Sequence, residues 1–174
     1  MRARTALAWV LSSAATVAAA QGHVPLECRV SAPAAVSAGQ PVRLRFVLRN
    51  PGPQAVHVLA WGLPFEGWFA PFVSVWRDGS ELAYQGPSLK RGEPAADEYL
   101  RIAAGRARVA VVDLGQAFDL TPSGRYRVAP QLTVHDAFTA GAGVPPRPRE
   151  RHAGQAVACT ALEFSVAPAA GPKR

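Results

Sequence analysis

The four histidines, His23, His57, His135 and His152, are the side chains best suited to ligate a metal or move a proton near neutral pH. None lies in the His-Glu-x-x-His spacing that presents two ligands from one helix face. His135 and Asp136 are adjacent, but neighbours on a strand point to opposite faces, so no acid–base dyad is expected. His57, between Val56 and Val58, reads as an outward-facing polar residue of a strand. There is no Gly-x-Ser-x-Gly elbow, no phosphate-cradling glycine loop and no Asp-rich calcium loop. The expectation is a protein with no catalytic residues, no metal and no cofactor.

Cys28 and Cys159 stand near opposite ends of the chain, too far apart in sequence to support a metal site. In an oxidising compartment they would tie the first strand to the last and close a loop of about 130 residues. Two free buried thiols are the other reading. The compartment follows from residues 1–20. A basic start (Arg2, Arg4) precedes a short apolar stretch interrupted by Ser12, Ser13 and Thr16, and Ala18-Ala19-Ala20 offers a cleavage site. A membrane span needs about 20 apolar residues, so export is expected, to the periplasm or the medium, with no span in the mature chain.

The formal charge of +7 becomes 17 basic against 12 acidic residues once Arg2 and Arg4 are set aside. The arginines are dispersed along strands, as at Arg43, Arg45 and Arg49, so a soluble basic surface is expected rather than a nucleic-acid site. One cluster, Arg147, Arg149 and Arg151, falls in a Gly/Pro/Arg-rich stretch over 137–151 that reads as a mobile, solvated loop.

These groups must be positioned by strands. Residues 41–50 alternate Val42, Leu44, Phe46 and Leu48 with Arg43, Arg45 and Arg49, the pattern of a half-exposed antiparallel strand. The turn at Asn50-Pro51-Gly52-Pro53 should return the chain over 54–61 as a hairpin. Further strands are expected over 26–31, 72–77, 81–84, 98–103, 107–114, 124–134 and 155–166, with loops over 33–40, 62–71 and 85–97. Asp78-Gly79 marks a tight hairpin, and a short helical turn is expected near Gln116. The sum is an immunoglobulin-like antiparallel β-sandwich of about seven to nine strands, spanning 21–167, with a frayed tail over 168–174. Gly124 placed two residues before Tyr126 resembles the tyrosine corner of such domains, in which the phenol bonds upstream backbone.

One run of fragments carries a resemblance. It comprises Asn50-Pro51, Leu63-Pro64-Phe65-Glu66-Gly67, Phe72-Val73-Ser74-Val75, Asp78-Gly79 and Tyr84-Gln85-Gly86-Pro87. It continues through Lys90-Arg91-Gly92-Glu93-Pro94, Val112-Asp113-Leu114, Phe118-Asp119-Leu120 and Gly124-Arg125-Tyr126-Arg127-Val128. In order and spacing it resembles the N-terminal prosegment of secreted zinc proteases of the deuterolysin and peptidyl-Lys metalloendopeptidase family, the aspzincins. The zinc motif of their catalytic domain is not present in these residues. The resemblance therefore implies an Ig-like binding module whose partner is a secreted zinc metalloprotease, acting as inhibitor or folding helper. The alternative is a generic secreted or envelope Ig-like module with an unrelated partner.

Such proteases often cleave beside lysine, which implies an acidic pocket. Lys90 is the only lysine inside the expected domain, and with Arg91 it stands in a Gly/Pro-flanked loop that could fill such a pocket or simply be solvated. Phe65, Trp68 and Phe69, with Phe72, form an aromatic loop that either contacts a partner or plugs the open end of the sandwich.

Overall fold

Residues 23–168 are described by the computed structural model, and the expected leader and nearly all of the expected tail lie outside them. In chain order the strands are β1 (Glu27–Ser31), β2 (Ala35–Ser37), β3 (Arg43–Arg49), β4 (Val56–Leu59), β5 (Val73–Arg77) and β6 (Ser80–Glu81). There follow β7 (Tyr99–Ile102), β8 (Ala107–Asp113), β9 (Gly124–Pro130), β10 (Leu132–Val134), β11 (Ala137–Thr139), β12 (Gln155–Val157) and β13 (Leu162–Ala167).

Two layers face each other across one core, giving an Ig-like sandwich. One layer has the order β1-β3-β8, and the other has the order β2-β13-β9-β5-β6. The alternation of β3 turns Leu44, Phe46 and Leu48 inward, where they meet Val73 and Val75 of β5, Val128 of β9 and Phe164 of β13. Phe46 meets Phe72 edge to face at 5.7 Å between ring centroids, joining the two layers. At one end, β11-β4-β7 forms a third small sheet, with its own apolar cluster of Leu59, Trp61, Tyr99 and Phe138.

Several expectations need correction. β4 does not return along β3; it pairs with β7 and β11, while β3 pairs with β1 and β8. Asn50 explains the departure. Its buried side-chain amide donates to the carbonyls of Gln54, at 2.7 Å, and Ile102, at 3.1 Å, and its oxygen accepts from Gly52 N–H. The amide thereby stitches the turn after β3 to the turn after β7 rather than closing a tight hairpin. The loop expected over 33–40 contains β2, which runs parallel to β13, so the sandwich is not wholly antiparallel. The stretches 124–134 and 155–166 each break into two strands, and five of the thirteen strands, β2, β6, β10, β11 and β12, have only two or three residues. Such brief segments leave too little period-two signal to be read.

Other expectations hold. Asp78 and Gly79 adopt positive φ values of 49° and 89° and join β5 to β6. Tyr126 is buried, stacks on Phe164 and donates its hydroxyl to the Pro122 carbonyl at 2.6 Å, the tyrosine-corner bond. Gly124 is needed by close approach: a Cβ there would lie 2.6 Å from an Asp78 carboxylate oxygen, and the other oxygen of Asp78 accepts from Arg125 N–H. Cys28 and Cys159 form a disulfide between β1 and the connection leading into β13.

Candidate partner-binding face

The end of the sandwich beside β4, β7 and β11 brings together several ionisable side chains that are far apart in the sequence. Its foundation is Asp136, fully buried just before β11. The carboxylate takes a two-point ion pair from Arg147 and accepts from Tyr99 hydroxyl at 2.9 Å and from Ala153 N–H at 3.0 Å. Burial acts to raise the Asp136 pKa, but Arg147, the Ala153 amide and Tyr99 together hold it below the ordinary carboxylate range. Burial, with the hydrogen bond to Asp136, pushes the Tyr99 phenol up to about 12. Arg147 also lies over Phe138, 4.2 Å from the ring centroid. The 137–151 stretch is thus anchored from beneath, not loose.

His152 caps this group. Its Nε2 lies 3.1 Å from the Arg147 carbonyl oxygen, which can only accept, so an Nε2–H donates there. Its ring meets Trp61 edge to face at 6.3 Å. A second ion cluster holds the other loop. Arg91 pairs with Glu66 at 2.6 Å, contacts Glu98 at 3.7 Å and covers the Trp61 ring at 5.4 Å. Glu98 accepts from Ala95 N–H and from the Trp61 indole N–H, contacts that keep its carboxyl below the usual range. Arg149 donates to the Arg91 carbonyl and, through its backbone N–H, to Glu93, so the 85–95 and 147–152 segments brace each other.

The sequence-derived site residues part company here. Trp68 belongs to the core: it stacks on Phe72 at 4.3 Å and donates its indole N–H to the Asp113 carbonyl, so it is not a surface contact. Its large apolar area, better buried than exposed, drives that placement. Phe65 is half-buried and lines a different cleft, beside β8. Arg91 is spent on Glu66 and Glu98 and is only 22% exposed, so it positions the loop instead of projecting from it. Phe69 and Leu89 are 38% and 48% exposed and are joined by a Leu89 N–H bond to the Phe69 carbonyl. Both line a recess of about 480 Å³ whose walls include Trp61, Arg91, Arg149 and His152. Lys90, the next residue, is exposed and forms no ion pair among the described residues.

The group that Arg147, Tyr99 and His152 build over the buried Asp136 was not legible in sequence, because no spacing rule links residues separated by strand pairing. His57 is half-buried rather than outward: its ring lies 5.3 Å from Phe138, and burial, with Arg101 nearby, lowers its pKa. Among the described residues no three His, Cys, Asp or Glu side chains gather closely enough to hold a metal, and no helix is long and apolar enough to cross a membrane.

No family model matches the chain. Over 87 residues it is 31% identical to an extracellular protease of Aeromonas hydrophila, a region covering half of this chain and a quarter of that protein. The chain thus spans about a quarter of the length of the curated relative it matches. A CARDB domain from Pyrococcus furiosus, solved in complex with di-metal ions, aligns over 83% of this chain and 88% of its own, at 13% identity and a TM-score of 0.32. The solution structure of that domain covers 94% of its chain at 12% identity and the same score.

Proposed function

We propose that this chain is a non-catalytic, exported binding module that resembles an aspzincin prosegment and docks on a secreted zinc protease, as its inhibitor or folding helper. The observation that carries the reading is the 87-residue similarity to part of an extracellular protease. The Cys28–Cys159 disulfide is consistent with an oxidising compartment outside the cytosol.

The contact surface in this reading is the braced rim of Phe69, Leu89 and Lys90. Phe69 and Leu89 supply apolar area, and Lys90 places an ammonium on a flexible stem in an acidic pocket of the protease. The Arg91 clamp holds the loop before binding, which reduces the ordering cost of association.

The test uses culture supernatant of the organism that carries this chain. Chelator-sensitive cleavage of a lysine-containing fluorogenic peptide is measured while purified protein is titrated in. Dose-dependent inhibition, or improved recovery of that activity after refolding, is expected. Lys90→Ala should need about tenfold more protein or beyond, since a charge-assisted hydrogen bond contributes roughly 1.5 to 3 kcal/mol. No effect on either readout at micromolar protein would overturn the protease reading; undiminished potency of Lys90→Ala would remove the lysine from it.

A further inference from the structure

The layer β1-β3-β8 ends on β8, and among the described residues no strand pairs with its far side. The direction of its backbone groups follows from two bonds that flank the ladder. Asn50 N–H donates to the Arg106 carbonyl and Leu114 N–H to the Val42 carbonyl, each at 2.9 Å. Even-numbered residues of β8 therefore exchange hydrogen bonds with β3, and odd-numbered residues turn theirs outward. The Asp113 carbonyl confirms the parity, for it faces away from β3 and takes the Trp68 indole N–H. Ala107, Val109 and Val111 are left with outward N–H and C=O groups.

Natural edge strands are usually short or defended by lysine, proline or a bulge. β8 has seven residues, ARVAVVD, with neither proline nor lysine, and Val109 and Val111 are 49% and 56% exposed. The other sheet-edge strands, β1, β2, β6, β7, β10, β11 and β12, have two to five residues.

The surroundings specify what fits. On the outer face Val111 lies opposite Arg45, Val109 opposite Val47 and Asp113 opposite Arg43. Arg29, Arg43 and Arg45 are exposed and form no ion pair among the described residues, whereas Arg49 is taken by Glu27. An added strand would lie two strand spacings from β3, about 10 Å, a gap that an arginine and a carboxylate can bridge over the short valines. Along the same edge, Val109 to Asp113 line a cleft of about 690 Å³ with Arg43, Pro64 and Phe65, which leaves room for the side chains of an added strand. A second copy of this chain would bring like-charged arginine rows together on a molecule of formal charge +7.

We propose that the β8 edge receives an extended segment of a partner protein by β-strand addition, the segment alternating acidic residues outward with apolar residues toward Phe65. This rests on the edge geometry and not on the protease reading. Main-chain bonds to Val109 and Val111 fix the register, and the arginines select acidic residues.

The test is amide hydrogen exchange by NMR on the intact, disulfide-bonded protein. The probe is a capped seven-residue peptide alternating glutamate and valine, with a lysine–valine peptide as control. Val109 and Val111 amides should exchange freely alone and gain at least tenfold protection with the glutamate peptide, while Ala110 and Val112 are protected throughout. Val111→Pro removes an outward donor and not a β3 bond, so it should stay folded and lose binding at least tenfold. If that variant unfolds, Val111→Lys serves, with Val112 protection reporting the fold. Unchanged Val109 and Val111 exchange at millimolar peptide would overturn the proposal, as would equal binding of the lysine peptide or unimpaired binding by the folded variant. Protection of these amides that rises with protein concentration alone, with a doubled mass in sedimentation, would show a second copy as the occupant and overturn the acidic one.

Discussion

Removing Arg147 should expose how much of the domain's stability rests on one buried carboxylate. Asp136 has no exposed side-chain surface, and Arg147, 19% exposed, is the one cation paired with it among the described residues. In Arg147→Ala the Tyr99 hydroxyl and the Ala153 N–H remain, but two charge-assisted bonds and the contact over Phe138 are lost. Breaking a buried pair from one side costs about 3 to 5 kcal/mol, a fall in Tm of roughly 6 to 20 °C for a domain of this size. Asp136→Asn should cost less, about 1 to 3 kcal/mol, because the arginine left behind can still reach water. The pH dependence gives a second signature. In the parent protein the folded pKa of Asp136 lies below its unfolded value, so its contribution is present above that unfolded value and fades as pH falls through the folded one. Without Arg147, burial dominates and raises the folded pKa above the unfolded value. The penalty of Arg147→Ala should then be full at pH 7.5 and shrink on acidification toward about pH 4. Urea denaturation of both variants at pH 7.5 and 4.5, with the disulfide intact, measures this. A loss below 1 kcal/mol, or one that does not change with pH, would refute the account of the buried pair.

Other substitutions separate core from surface. Trp68→Ala should destabilise the fold by about 3 to 5 kcal/mol, because it opens a cavity beside Phe72 and orphans the Asp113 carbonyl. Phe69→Ala, on the exposed rim, should stay within about 0.5 kcal/mol and weaken partner binding; equal losses in thermal unfolding would contradict the assignment. The double variant Cys28→Ser, Cys159→Ser should lose about 4 to 5 kcal/mol in denaturant unfolding, since the bond spans 131 residues.

What was readable in the sequence follows from the range of the interactions. The alternation in β3, the Asp78-Gly79 turn and the tyrosine corner are local patterns, and each stands in the structure as its residues suggest. The pairing of β4 is not written locally: a Pro/Gly turn resembles a hairpin, whereas the deciding contact is the Asn50 amide reaching a residue about fifty positions away. Trp68 and Phe69 are neighbours of similar type, so composition could not divide them; the stacking of one on Phe72 does. In sequence, Arg147 reads as a solvated cation and Asp136 as the neighbour of a histidine. Only the fold of β11 and the chain after it brings them together.

The bond between Cys28 and Cys159 has a consequence for Lys90, which lies between them in the chain. A trypsin-like cut after that lysine would produce two fragments still covalently joined, each contributing strands to the same core. Such nicked material would migrate as intact protein on a non-reducing gel and split only once thiol is added. Should a bound peptidase clip the loop, it would not thereby be rid of what holds it.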